Sequence, residues 1–237
     1  MRKLDVTLPT LEENLALDEA LLLAAIAGGP SVLRLWEWPE FAVVMGAGGK
    51  RDEEADVPRC EADGVPILRR GSGGGTVLLG RGCLLFSLVL PIDDHPDFAD
   101  LHRSYRHIAD RLEHAIASVF PNLTHDGISD LVVNDRKVSG NAQQRKRTHI
   151  LHHGTLLDHF DLLAIDRYVK HPPKMPDYRR DRKHADFVTN LGVGIDRLRE
   201  LLEAEFDARE ELNEWSRDTV ARLVDEKYGS DDWHRRR

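Results

Sequence analysis

The order of apolar and polar positions divides the chain into a succession of helices and strands. Thr10 followed by Glu13 makes a capping-box pattern, strong helix formers run on through Ala27, and Gly28-Gly29 supplies a stop, which predicts a first helix. Val32-Leu33-Arg34-Leu35-Trp36 and Phe41-Ala42-Val43-Val44-Met45 are rich in β-branched and aromatic residues. With Pro39-Glu40 between them as a turn, they are expected to pair as two strands. The polar stretch from Lys50 to Gly64 reads as partly helical, and Pro66-Ile67-Leu68-Arg69 returns to extended chain. Cys83 to Leu90 is a nearly continuous apolar run ended by Pro91, which predicts a central, buried strand.

From Phe98 to Phe120, apolar Ile108, Leu112, Ala115, Ile116 and Val119 recur at helical spacing opposite Arg106, Asp110 and Glu113, so a long amphipathic helix is expected. Leu131-Val132-Val133, Asn134-Asp135 and Arg136-Lys137-Val138 read as a tight hairpin, because Asn and Asp tolerate the positive φ of such turns. Ile150 to Leu157 is a further strand and Asp161 to Val169 a short helix. Prolines and basic residues between His171 and Lys183 predict an ordered loop or lid. Beyond Val193 the chain reads as helical, with a segment from Trp215 to Tyr228 near its close. A chain of 237 residues suits one α/β domain, 1–237, with a helical C-terminal part from about 194.

Composition narrows the class. Hydrophobic residues make up 41% and charged residues 31%, which is ordinary for a globule with a packed core. A formal net charge of -8 disfavours a general nucleic-acid groove, although local basic stretches can still hold phosphate or an acidic protein. Cys60 and Cys83 allow neither a disulfide framework nor a four-cysteine zinc site, and a reducing cytoplasm is the expected location. Nowhere do ~18 uninterrupted apolar residues occur, so no membrane partner is expected.

The chemistry concentrates in three segments. Arg69-Arg70-Gly71-Ser72-Gly73-Gly74-Gly75-Thr76-Val77 follows a strand, and its adjacent glycines allow positive φ and close approach of backbone amides to a ligand, as in a phosphate or adenylate nest. The alternative is a flexible loop or sheet bulge. Neither a P-loop nor the spaced dinucleotide fingerprint is present. Lys137-Val138-Ser139-Gly140-Asn141-Ala142 sets one lysine beside small residues, where its ammonium can offset charge on a carboxylate and an α-phosphate, although a lone lysine beside a hairpin turn is more often simply solvated. His152-His153-Gly154-Thr155 lies on a strand, so the two imidazoles point to opposite faces and at most one can face a given pocket. The same spreading argues against a zinc site from His149, His152 and His153, and no metal ligands are assigned.

In content, order and spacing, these segments resemble the lipoate-protein ligase family, with support from Asn14-Leu15-Ala16-Leu17-Asp18-Glu19-Ala20 and Asp130-Leu131-Val132-Val133. The resemblance implies the biotin and lipoate ligase fold, a mixed sheet flanked by helices with the acyl group in a cleft. It implies that Lys137 is catalytic and that Arg70, Gly75, Thr76, Val77, Leu78 and Lys137 contact ATP. It also implies that Arg70, Ser72, Gly73, Gly74, Lys137, Ser139, Gly140, His153 and Gly154 surround lipoate or a similar acid. The expected reaction uses ATP with Mg2+ to form an acyl-adenylate, then transfers the acyl group to a lysine of a lipoyl carrier domain.

Three departures qualify that expectation. After the glycine loop, where the family often carries His-Asp and then Gly-Asn-Leu-Asn, the chain reads Leu79-Gly80-Arg81-Gly82-Cys83-Leu84-Leu85, which predicts a more apolar pocket wall. About 80 residues after the His-His segment leave no room for a full accessory domain, so a separate accessory subunit is a possible partner. Related transferases that form a cysteine thioester without ATP carry the cysteine shortly before the lysine motif or after it. Here Asp126-Gly127-Ile128-Ser129 stands at the first place and no cysteine follows at the second. Cys83 and Cys60 are expected to be inert. A non-catalytic binder of carrier domains is the remaining alternative. The basic run Lys170, Lys174, Arg179, Arg180, Arg182 and Lys183 would either cover an adenylate, meet an acidic carrier domain or simply be solvated.

Overall fold

The computed structural model describes residues 1–172 and 175–236. The chain enters as strand β1 (Arg2–Asp5) and helix α1 (Leu11–Ile26), whose start carries the full capping box of Thr10 and Glu13. Strands β2 (Val32–Glu37) and β3 (Ala42–Met45) follow, then the short helices α2 (Arg51–Glu54) and α3 (Val57–Asp63). Strands β4 (Ile67–Arg69) and β5 (Val77–Leu79) bracket the glycine loop, and β6 (Cys83–Pro91) leads to α4 (Leu101–Ile116). Next come β7 (Leu123–Asp126), β8 (Asp130–Val133), β9 (Arg136–Arg145) and β10 (His149–Leu157). The remainder holds α5 (Leu162–Tyr168), α6 (His184–Phe187), α7 (Ile195–Glu205), β11 (Glu210–Glu211), α8 (Arg217–Leu223) and α9 (Asp231–Arg235).

Eight strands form a mixed sheet in the order β11-β1-β2-β6-β10-β9-β8-β7, and β4-β3-β5 form a second, smaller sheet. This is the expected α/β class, a mixed sheet flanked by helices. The expected pairing of the strands on either side of Pro39-Glu40 is corrected, because β2 pairs with β1 and β6, whereas β3 pairs with β4 and β5. Both segments are fully extended and buried, so local composition could not reveal that the turn passes from one sheet to the other. The long helix is shorter than expected. Its first turn begins only at Leu101, where Asp100 accepts the backbone N–H of Arg103, and a 3-10 turn (Pro96–Ala99) precedes it. The C-terminal part contains a short strand, β11, parallel to β1, that helical patterning did not suggest.

Burial explains the strand patterns. Strand β6 is apolar apart from Ser87 because both of its faces are covered. Leu84, Phe86 and Leu88 meet Ile108 and Leu112 of α4, while Leu85 and Val89 meet Leu17 and Leu21 of α1. A third cluster joins Val43 and Ile67 of the small sheet to Phe160 and Ile165. The Asn134-Asp135 turn between β8 and β9 adopts φ of 50° and 64°, as its composition predicts.

Helix α1 is buried on nearly all sides, and three of its polar residues are its fasteners. Arg34 of β2, fully buried, donates to Asp18 Oδ1 at 2.7 Å, to Asn14 Oδ1 at 2.6 Å and to the Asn14 and Val6 carbonyls. Ser87 donates to Asp18 Oδ2 at 2.8 Å, while Glu19 accepts from Lys227 and from Tyr228 at the end of the turn that continues α8. Burial by itself would raise the pKa of Asp18, but Arg34, with His153 and Ser87, outweighs it and the net shift is downward. A depressed carboxylate adds stability above its unfolded value of about 3.9, and that stability is lost as pH falls below it. Asp18→Asn leaves Arg34 buried without a counter-charge, and urea unfolding at pH 7 should report a loss of ~3–5 kcal/mol with a flatter acid limb. An unchanged midpoint would contradict this role.

Candidate active site

A cleft of about 690 Å3 lies where the α1 side of the large sheet faces the small sheet and the glycine loop. Leu15, Trp36, Val44, Leu79 and Leu85 supply an apolar part, in line with the apolar wall read after the glycine loop. Arg70, Lys137, Asp130 and the Gly74-Gly75-Thr76 backbone supply the polar part. No helix among the described residues is long and apolar enough to cross a membrane.

Of the residues predicted for the site, Arg70, Gly74, Gly75, Thr76, Val77, Leu78, Lys137, Ser139, Gly140, His153 and Gly154 line the cleft. Ser72 and Gly73 do not. Ser72 stands behind the wall as a brace, with its Oγ 2.6 Å from His153 Nε2 and accepting from Arg70 Nε at 2.9 Å. His153 Nδ1 lies 3.3 Å from Asp18 Oδ2, so the same carboxylate that holds α1 also holds the histidine. His152 leaves the strand on the other side, where it stacks on Phe86 and contacts Gln143. The two histidines thus take opposite faces, as β geometry requires.

Arg70 was expected to offer its charge directly to a nucleotide. In the structure it lines the cleft, and its guanidinium ties the loop together, donating to the carbonyls of Val44, Gly73 and Gly75 as well as to Ser72. It has no carboxylate partner among the described residues, and burial pulls its pKa down to about 10, so it remains a cation at neutral pH. The Gly73 and Gly75 carbonyls are taken by Arg70, while residues 73–75 themselves are exposed. No acceptor among the described residues takes the N–H of Gly73, Gly74, Gly75 or Thr76. Gly46 permits this packing, since a Cβ there would sit 2.0 Å from the Gly74 carbonyl oxygen. A buried cation beside free amides has the chemistry of an anion cradle.

Lys137 stands across from it at a β-bulge, where Val132 opposes Lys137 and Leu131 opposes Ser139. The extra residue re-aims the side chain toward the cleft. Its Nζ lies 2.8 Å from Asp130 Oδ1, and Gly140 leaves room for it, because a Cβ there would lie 2.7 Å from Nζ. Sequence reasoning missed three contributors: Glu54, whose Oε2 accepts from Thr76 at 2.5 Å, and Asp130 and Tyr178, which meet at 2.8 Å. Asp130 lay inside a quoted motif, but nothing local tied it to Tyr178, 48 positions on. Of the basic run, Arg179 and Lys170 line the cleft, Arg180 and Arg182 reach Asp135, and Lys174 lies outside the described residues.

Neither thiol is near this chemistry. Cys60 and Cys83 are fully buried in the cluster beneath the small sheet. Burial pushes both thiols up, Cys83 to about 12. Asp126, Gly127, Ile128 and Ser129 do line the cleft. The one group of three metal-ligating side chains among the described residues, His95, Asp97 and His107, lies outside it.

Among curated proteins, the chain is 35% identical over 168 residues to an octanoyl-[GcvH]:protein N-octanoyltransferase of Kyrpidia tusciae, covering 62% of this chain and 57% of that protein. It is 30% identical to the octanoyltransferase LipM of Carboxydothermus hydrogenoformans, covering 93% of each. Among solved structures, a bi-partite lipoate protein ligase of Thermoplasma acidophilum superposes with a TM-score of 0.85 at 25% identity, covering 99% of this chain and 95% of that one. The sequence model of the lipoyl protein ligase A/B catalytic domain matches residues 10–207, and the chain belongs to that family.

Proposed function

We propose that the protein activates lipoate or octanoate with ATP and transfers the acyl group to a lysine of a lipoyl carrier domain. The observation that carries this reading is a cleft lined by Arg70, Lys137, Lys170 and Arg179, with loop amides that have no acceptor among the described residues and with no thiol. The apolar end suits a short acyl chain, and the amides with Arg70 suit phosphate oxygens. Lys137 is then placed between carboxylate and α-phosphate, where its charge favours the bond forming between them as pyrophosphate departs. In the second half, the acceptor amine attacks the acyl carbon, loses a proton and displaces AMP. Binding and charge compensation supply the acceleration, without a protein nucleophile. The cleft has no three-ligand metal cluster among the described residues, so Mg2+ would enter on the triphosphate, screening its charge. A separate accessory subunit fits the reading by analogy with the bi-partite ligase.

The names of the two curated relatives favour a second reading, ATP-independent transfer of an octanoyl group between carrier proteins. Both readings share the carrier lysine as acceptor. They differ in how the acyl group is activated, and a thioester on this chain would require Cys60 or Cys83 to leave the core.

Intact-mass analysis of a lipoyl carrier domain distinguishes them. The protein is incubated with lipoate or octanoate and Mg2+, with and without ATP, or with an octanoyl-carrier thioester alone, as wild type, Lys137→Ala and the Cys60→Ala/Cys83→Ala double variant. Modification that needs ATP and Lys137 but survives loss of both cysteines is expected. Transfer from an octanoyl-carrier thioester without ATP would establish the second reading, and its loss in the double variant would make a cysteine the nucleophile. In the same assay, Gly140→Ala should lower the transfer rate by about 10- to 100-fold, because the added methyl displaces the Lys137 ammonium. A wild-type rate would mean that the ammonium position is unimportant.

A further inference from the structure

The carboxylate of Asp130 is divided between two partners that belong to different parts of the molecule. Oδ1 lies 2.8 Å from Lys137 Nζ, and Oδ2 accepts the Tyr178 hydroxyl hydrogen at 2.8 Å. Asp130 begins β8, Lys137 follows the hairpin turn on β9, and Tyr178 lies on a 3-10 turn (Asp177–Arg179) of the segment that covers the cleft. Burial and the adjacent carboxylate push the Tyr178 hydroxyl up, so it stays protonated and can only donate to Asp130. Its ring packs on Phe187, 5.1 Å between centroids. The covering segment also grips the backbone beside Lys137, where Thr189 N–H donates to the Lys137 carbonyl and Val188 bridges to the strand.

We propose that Asp130 is the positioning residue through which the Lys137 ammonium and the covering segment respond to each other. This inference rests on the reading of Lys137 as the lysine that meets the reacting carboxylate and phosphate. An anion arriving in the cleft draws the ammonium away from Oδ1 and leaves the charge of Asp130 to Tyr178 alone. The charge-assisted bond from Tyr178 then strengthens and fastens the cover over the occupied cleft. In the other direction, a loosened Tyr178 leaves the charge of Asp130 to Lys137 alone, so the ammonium is held more tightly on Oδ1 and away from the cleft. Occupancy and closure are thereby coupled through one side chain, without a change in the sheet.

The coupling is reciprocal, as any linkage must be, and two measurements read it without relying on turnover. Hydrogen exchange of amides 177–182 is followed in wild type and Lys137→Met. Acylation of Lys137 by an amine-reactive ester, mapped by mass spectrometry, is followed in wild type and Tyr178→Phe. Exchange at 177–182 is expected to slow by about tenfold in Lys137→Met, where Asp130 serves Tyr178 alone, the scale of one charge-assisted hydrogen bond. Labelling of Lys137 is expected to fall several-fold in Tyr178→Phe, where Asp130 serves the ammonium alone, roughly on that scale. In the transfer assay, Asp130→Asn should lower kcat far more than it raises KM, and Asp130→Glu should restore part of kcat. Unchanged exchange in Lys137→Met together with unchanged labelling in Tyr178→Phe would overturn the coupling, whatever the transfer assay shows. Retained transfer by Lys137→Met would instead remove the reading of Lys137 on which the inference rests.

Discussion

Asp18 and Arg34 meet inside the protein with no water to share their charge, one on the first helix and the other on the second strand. Arg34 also reaches the backbone of Asn14 and Val6, so the guanidinium fixes both the rotation of the helix and its distance from the sheet. The second oxygen of Asp18 faces Ser87 and His153. From there the contacts run to Ser72, and from Ser72 to Arg70 and the carbonyls of the glycine loop. The shape of the glycine loop is thus set at one end by an ion pair in the core. Such pairs are better understood as setting a unique arrangement than as adding stability, because their desolvation offsets much of their attraction.

The parts of this arrangement that are local in the chain were legible in the sequence. Thr10 and Glu13 cap within a single turn, Asn134 and Asp135 carry their own conformational preference, and neighbouring histidines on a strand must diverge. Distant pairings left little trace. A segment such as Ala42–Met45 looks the same whether it joins the large sheet or the small one. Strands of four residues or two, such as Arg2–Asp5 and Glu210–Glu211, carry too short a pattern to register. At the site, residue types pointed to the correct neighbourhood but not to each side chain's partner. Arg70 lines the cleft yet directs most of its donors inward, and Ser72 supports the wall from behind.

The thiols illustrate how a fold limits chemistry. Cys83 opens the buried strand β6, and Cys60 packs beneath the small sheet near the Tyr168 carbonyl. The segment 126–129, which borders the cleft, holds none. The cleft is thus bordered by Lys137 and Arg70 and by no sulfur atom of the two cysteines.

Arg69 and Arg70 are adjacent in sequence and serve opposite directions. Arg70 turns toward the glycine loop, whereas Arg69 gathers the carbonyls of Trp233, His234 and Arg236 together with those of Gly46, Ala47 and Gly49. The end of helix α9 is in this way laced to the foot of the cradle through one peptide unit. Mechanical strain applied at residues 233–236, by a fused domain or an affinity handle, has a direct path to the glycine loop that lines the cleft.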